Sequence, residues 1–210
     1  MPAEPRIKRV VAFVDGQNLF YAASRSFGHK FPNYDPKLLA EAVAARYPEW
    51  SLAQVRFYTG IHDARVNEFW HHFWTAKLGA LGHRGVYTCT RQLRYTRESI
   101  TLSDGTQKMI AVGHEKGIDL RIGLDLVRLA REGAFDVALI FSQDQDLLEA
   151  VEEVRSIARE QDRWVKIASA FPNSATSTSP RGIDRTDWIK IDQATYDRCL
   201  DPADYRPKKS

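Results

Sequence analysis

The chain has 210 residues, 43% hydrophobic and 27% charged, with a net charge of +3. That balance predicts a folded core in one domain, or one domain with an insertion, rather than disorder. Two cysteines, Cys89 and Cys199, are too few for a disulfide framework or a thiolate zinc site. No apolar run approaches the length of a bilayer span. The opening "MPAEPRIKRVVAFVDGQN" lacks a signal-peptide layout, because its apolar run is short and ends in Asp15. A cytoplasmic protein away from membranes is expected. The pI near 8.8 is mildly basic. It points to nucleic acid only if the positive charge is concentrated.

In chain order, "RVVAFVD" (9–15) is a run of β-branched and aromatic residues and predicts a buried strand. "YDPKLLAEAVAARYP" opens a helix, with Asp35 as N-cap and Pro36 at the first helical position. "QVRFYTG" (54–60) predicts a second strand, and residues 63–82 a helix heavily loaded with aromatics. Those rings are expected to pack into the core or into an interface with a second copy. Residues 85–95 read as extended, and 99–112 as a hairpin around Asp104-Gly105. Together, 85–112 are expected to form a basic β-hairpin elaboration. A helix is predicted over 119–133, closed by Gly133. "DVALIFS" (136–142) is apolar throughout, as a strand buried on both faces should be. A helix over 146–161, a strand over 163–169, a loop over 171–182 and a last strand at "WIKI" (188–191) follow. Alternation of strands and helices predicts an α/β fold with a mostly parallel central sheet. Residues 193–210 are expected to be a tail.

Ligands in such a sheet gather outside the carboxyl ends of the strands. Asp15 ends the first strand, and Asp144 and Asp146 follow the central one. Asp119 and Asp125 sit near the start of the 119–133 helix. Six residues turn about 600°, which leaves these two roughly 120° apart if both lie in one helix. Three of these acids have bland alternatives, whereas Asp15, directly after a buried strand, has none beyond a turn. Asp119 and Asp146 are acceptable helix N-caps, and Asp125 is ordinary if it faces outward. If several converge, two charges at 4 Å cost on the order of 4 kcal/mol at an effective dielectric near 20. A hard divalent cation removes that cost, and such a cluster suits metal-assisted phosphoryl transfer.

Three motifs bear on the family. "VVAFVDGQNLFYAA" has a strand followed by Asp-Gly-x-Asn. "EKGIDLRIGLDLVRLAREGAFDVALIFSQDQDLLEAVEEVR" (115–155) has Lys-Gly-x-Asp, a second Asp six residues on, and Ser-x-Asp-x-Asp after a strand. The chain resembles the NYN domain, a branch of the PIN-like nucleases, and most resembles its bacterial LabA-like group, over residues 8–192. "VRFYTGIHDARVNEFW" is similar to that group's second strand and following helix. The resemblance implies a Rossmann-like, three-layer fold, an acidic pocket binding Mg²⁺ or Mn²⁺, and cleavage of RNA. By position, Asp15, Asp125 and Asp144 match the central acidic residues, Asp119 the Lys-Gly-x-Asp acid, and Asp146 the second acid after the central strand. Asn18 and Ser142 match supporting residues. The resemblance implies catalysis by these five acids and metal ligation by Asp15, Asp125, Asp144 and Asp146. The third motif commonly reads Ser-Gly-Asp-x-Asp, and Gln143 stands here in place of Gly, which questions the turn but leaves both carboxylates.

Residues 84–97, "RGVYTCTRQLRYTR", hold Arg84, Arg91, Arg94 and Arg97 with no acid among them, interleaved with Tyr87 and Tyr95. Arginine for phosphates and tyrosine for stacking are the ingredients of single-strand binding, so Arg91, Arg94 and Arg97 are candidate RNA contacts. A solvated strand face explains them equally well. Lys108 lies on the facing half of the hairpin, Arg181 and Arg185 form a second basic loop, and Lys116 is placed to approach a phosphate, although a solvated lysine is the simpler reading. "NSATST" (173–178) offers hydroxyls and amides, although a loop is the simpler reading. His71-His72 suggests zinc only weakly among so many rings.

A metal-dependent ribonuclease uses all of the acids. A non-catalytic nucleic-acid-binding module with a degenerate metal site is the main rival. A nucleotide-sugar glycosyltransferase, suggested by the Asp-x-Asp of 144–146, leaves Asp15 and Asp119 idle. A haloacid-dehalogenase-type phosphatase is disfavoured by Gln17, which stands where its general acid would be.

Overall fold

A computed structural model describes residues 2–101, 103–175, 177 and 181–207. In chain order its elements are β1 (Lys8–Asp15), α1 (Gly16–Phe27), α2 (Pro36–Ala44), β2 (Trp50–Ile61), α3 (Glu68–His83), β3 (Tyr87–Gln92), β4 (Arg94–Thr101), β5 (Gln107–His114), α4 (Ile118–Arg131) and β6 (Val137–Phe141). A short 3₁₀ turn (Gln145–Leu147), α5 (Leu148–Glu160), β7 (Lys166–Pro172), β8 (Asp187–Ile191) and α6 (Gln193–Arg198) complete it. Six strands form one sheet in the order β3-β2-β1-β6-β7-β8, and every pairing within it is parallel.

Strand alternation sorts the core into two layers. Val10, Ala12 and Val14 of β1, with Leu139 and Phe141 of β6, face one cluster, which also receives Leu19 of α1, Leu39 and Val43 of α2, and Phe73 and Trp74 of α3. Val11 and Phe13, with Ala138 and Ile140, face the other, covered by Ile122 and Leu126 of α4 and Val151 and Val154 of α5. All five β6 residues are buried, as a central strand covered on both faces requires. The rings of α3 mostly turn inward: Phe73 and Trp74 are buried, while Phe69 is exposed.

The sheet changes direction between β1 and β6. From β1 the chain moves outward to β2 and β3, and from β6 it moves the opposite way to β7 and β8. This is the switch point at which α/β sheets form their ligand crevice. Asp15 closes β1 there, and the turn after β6 opens beside it.

The structure differs from the sequence expectations in four places. Helix α1 directly follows β1 and was not anticipated; Asp15 both ends the strand and caps the helix, so no loop marks its start. Helix α3 begins only at Glu68, capped by Asn67, whose Oδ1 accepts from the Trp70 N–H at 3.2 Å. The 85–112 segment is not one hairpin: β3 joins the central sheet beside β2, and only β4 and β5 pair antiparallel as a separate ribbon. The expected tail carries α6, whose Tyr196 is fully buried. Within the "NSATST" loop, Thr176 and Thr178 lie outside the described residues.

Candidate functional site

Local chemistry fixes each wall of the site. Asp15 is the N-cap of α1, and its Oδ1 accepts from the Asn18 N–H at 3.0 Å. Gly16 is required next, because a Cβ there would lie 2.6 Å from the Phe57 ring and 2.9 Å from the Tyr58 carbonyl oxygen. Asn18 then reaches across the switch point, its Oδ1 accepting from the Gln143 N–H at 3.0 Å. Ser142, buried at the end of β6, donates to Asp15 Oδ2 at 3.4 Å and accepts from the Asp144 N–H at 3.1 Å. Two strand ends are thus stitched together by one amide and one hydroxyl.

Gln143 does not disturb this turn. The non-glycine residues with positive φ among the described residues are Asp162 and Arg185, so position 143 needs no glycine. Its side chain instead donates to the Arg181 carbonyl at 2.7 Å, and Gln145 bonds Gly182 and Asp184, tying the turn to the segment before β8. Asp144 caps the 3₁₀ turn, its Oδ1 accepting from the Asp146 N–H at 3.0 Å. The capping aspartate is Asp144, not Asp146.

On the opposite wall, Gly117 precedes α4 with φ +77°, a left-handed conformation that explains the glycine of Lys-Gly-x-Asp. Asp119 lies in the first turn of α4 rather than at its cap. These walls enclose a cavity of about 420 Å³. Its carboxylates are Asp15, Glu115, Asp119 and Asp144, and Asn18 and Lys116 also line it. The N-terminal turns of α1 and α4 both border it, adding partial positive charge suited to an anion.

Glu115 was missed by sequence reasoning. It directly follows β5 and immediately precedes the Lys-Gly-x-Asp motif, and that adjacency is the signal available. The Gly60 N–H of β2 donates to its Oε2. Burial pushes the Glu115 carboxyl up to about 7, with the charges of Asp15 and Asp119 adding to the rise. Burial likewise pushes Asp15 up to about 6, against the Asn18 hydrogen bond and with the Asp144 charge adding to the rise.

Asp125 does not join them. It is 2% exposed on the α4 face that meets β2. Its Oδ2 accepts from Arg56 Nη2 at 2.9 Å and from the Tyr58 hydroxyl at 2.8 Å, and its Oδ1 pairs with Arg121 at 3.0 Å. Burial alone would raise its carboxyl. The hydrogen bonds from Arg56 and Tyr58, with the charges of Arg56 and Arg121, outweigh burial and hold it below the usual carboxylate range. The expectation that Asp125 completes the acidic pocket is therefore corrected: an inward Asp needed a partner, and the partners are arginines. Asp146 is exposed and does not line the cavity.

The arginines are also redistributed. Arg91 stands at the cavity rim, its guanidinium packed against Gly117, where a Cβ would meet Nη1 at 3.2 Å. Arg94 and Arg97 are three apart on β4, so they point to opposite faces of the ribbon. Lys108, opposite Ile100, shares the Arg94 face. Arg84 bridges Asp35 and Asp201 within the fold, at 2.5 and 2.7 Å. Arg181 pairs with Asp184, and Arg185 with Glu152. His71 Nδ1 contacts the His62 carbonyl at 2.7 Å.

The oxygen-only carboxylate set and the raised Asp15 and Glu115 fit a hard divalent cation. Among the described residues, no three His, Cys, Asp or Glu groups stand close enough to cage an ion. The fit is accordingly to a largely hydrated ion held by one or two carboxylates, the habit of Mg²⁺.

A parallel α/β sheet flanked by helices, with an acidic cavity at its switch point, is consistent with a PIN-like fold. The chain belongs to the NYN domain family, whose model matches residues 9–184. No curated protein matches it. No helix among the described residues is long and apolar enough to cross a membrane.

Proposed function

We propose that the protein is a metal-dependent ribonuclease of the LabA-like bacterial group. It hydrolyses phosphodiester bonds of single-stranded RNA in the cytoplasm, with Mg²⁺ or Mn²⁺ as cofactor. The observation that supports this most directly is the convergence of Asp15, Glu115, Asp119 and Asp144 on one cavity bordered by two helix N-termini. Carboxylates hold cations and helix N-termini hold phosphates, and a phosphodiesterase site needs both.

Asp15 and Asp144 would hold the ion, with Asp119 and Glu115 orienting its waters. A bound ion would supply an activated water and stabilise the leaving oxygen. Asn18 and Ser142 keep Asp15 and Asp144 in register by the bonds described above. Lys116 and Arg91, at the cavity and its rim, neutralise the flanking phosphates. Arg94 and Arg97 act separately, one on each face of the ribbon. Asp146 acts through its backbone bond to Asp144.

The absence of a tight three-ligand cage among the described residues favours a second reading, an NYN module that binds nucleic acid without cutting it. End-labelled single-stranded RNA and DNA incubated with Mg²⁺, with Mn²⁺ or with chelator separate the two. Metal-dependent cleavage by wild type, absent in Asp144→Asn, supports the nuclease. RNA binding without cleavage under every metal condition transfers the assignment to the binding module.

A further inference from the structure

Beside the acidic cavity lies a second, chemically different one, of about 290 Å³. Phe20, Tyr21, Trp70, Trp74 and Leu93 give it an apolar, ring-rich lining. Its volume is at the small end of ligand pockets, room for one planar ring system rather than a large ligand. Gln17 and Tyr21 line both cavities. Gly60, which lines the ring-walled one, donates its N–H to Glu115 of the acidic one. The two cavities are therefore adjoining compartments of one cleft.

Most of these rings have structural partners. Trp74 packs on Phe57 and Phe73, and Trp70 on Phe31, Phe69 and Phe73. Their packing makes that wall rigid. Tyr21 is different: it is 49% exposed, and its ring contact is Phe20, its neighbour on α1. Tyr21 thus stands half-exposed on the ridge between an acidic and an aromatic compartment.

Polar groups line the same pocket. Asn67 Oδ1 is engaged in capping α3, while its amide nitrogen donates no hydrogen bond among the described residues. His62 Nδ1 is turned to the Tyr95 hydroxyl at 3.1 Å, which leaves Nε2 as its other polar atom. Gln17 lies on the shared wall. Rings for a π-face and amides for a polar edge are what a nucleobase needs.

We infer that this pocket binds the base of the nucleotide whose phosphate occupies the acidic cavity, with Tyr21 stacking on the base and Asn67 and Gln17 contacting its edge. The inference rests on the nuclease reading for the phosphate, but its test reads binding rather than cleavage. It gives the site a base preference that acidic residues alone could not supply.

The four nucleoside 5′-monophosphates and ribose 5-phosphate are titrated by calorimetry into the full chain with Mg²⁺. The titrations are repeated with Tyr21→Ala, Tyr21→Phe and Asn67→Ser, the last keeping an oxygen for the α3 cap. At least one monophosphate should bind roughly 10-fold or more tighter than ribose 5-phosphate, the scale of one base–aromatic stack. Tyr21→Ala should remove most of that advantage, Tyr21→Phe should retain it, and Asn67→Ser should change the ranking among bases. No advantage over ribose 5-phosphate, or an advantage untouched by Tyr21→Ala, overturns the inference. RNA cleavage measured in parallel separates the two readings. A wild type that cuts RNA yet shows no base-dependent binding loses only the base pocket. Base-dependent binding sensitive to Tyr21 in a protein that never cuts supports the pocket and removes the nuclease.

Discussion

Replacing Asp125 with Ala tests whether this acid belongs to the fold or to the metal site. The structure puts it in a buried cluster, accepting from Arg56 and Tyr58 and paired with Arg121. Arg56 is 3% exposed, its guanidinium lies 3.7 Å from the Tyr87 ring centroid, and without Asp125 it keeps Tyr58 and Gln54 as partners but no carboxylate. Stranding one member of a buried ion pair costs about 3–5 kcal/mol. At roughly 2–4 °C per kcal/mol for a domain of this size, Tm should fall by roughly 6–20 °C. Asp125→Asn keeps the shape and one acceptor, and should lose less. Mn²⁺ should still raise the melting temperature of the Asn variant, because the cavity acids are intact. Scanning calorimetry with and without Mn²⁺ measures both quantities. A variant that melts like wild type but no longer responds to Mn²⁺ would refute the structural role and return Asp125 to the metal site.

Asp144→Asn should behave in the opposite way, with metal-free Tm unchanged or higher, the Mn²⁺ response reduced, RNA binding retained and cleavage abolished; a fully active preparation would sink the proposed mechanism. Arg91→Ala should weaken RNA binding across sequences and lower the salt slope by about 1, whereas Arg97→Ala should do less, which filter binding across salt concentrations would show. Asp15 and Glu115 should make the metal-free protein lose stability between pH 5 and pH 8, opposed above pH 7 by Lys77, whose ammonium is pushed down to about 7 by burial. Folded Asp15 and Glu115 titrate near 6 and 7 against ordinary values of 3.8 and 4.5, so the folded state holds more protons in that window and loses stability as pH rises. The combined Asp15→Asn and Glu115→Gln variant should flatten that slope, and a slope unchanged in it would contradict the assignment.

The sequence showed the sheet well because buried parallel strands are continuous apolar runs, and "VVAFV" and "VALIF" have no competing reading. It showed α1 poorly, although that helix is amphipathic, because no loop separates it from β1: Asp15 both ends the strand and caps the helix, and Gly16 fits where a Cβ would collide with Phe57. It misjudged 85–112 because an edge strand and a ribbon are both simply extended until pairing is known. Arg84 looked like part of a basic stripe, yet its partners, Asp35 and Asp201, are 49 and 117 residues away in the chain.

Asp125 and Glu115 carry the same lesson into the site. The sequence left open which way Asp125 faces; it is buried, and an inward carboxylate must be neutralised. Whether a metal or an arginine does so depends on β2, where Arg56 and Tyr58 point at that helix from 69 and 67 residues away. Glu115 is the reverse case. Nothing local marks it as half-buried at the cavity, where the Gly60 N–H, on β2, donates to its carboxylate. The pair of acids after β6 divides by the same reasoning. Asp144 enters the cavity beside Asp15, while Asp146 stays outside and donates its N–H to Asp144. The repulsion that a cation would relieve is therefore between Asp144, Asp15, Glu115 and Asp119, contributed by three separate stretches of chain, and not between the two neighbours in Asp-Gln-Asp.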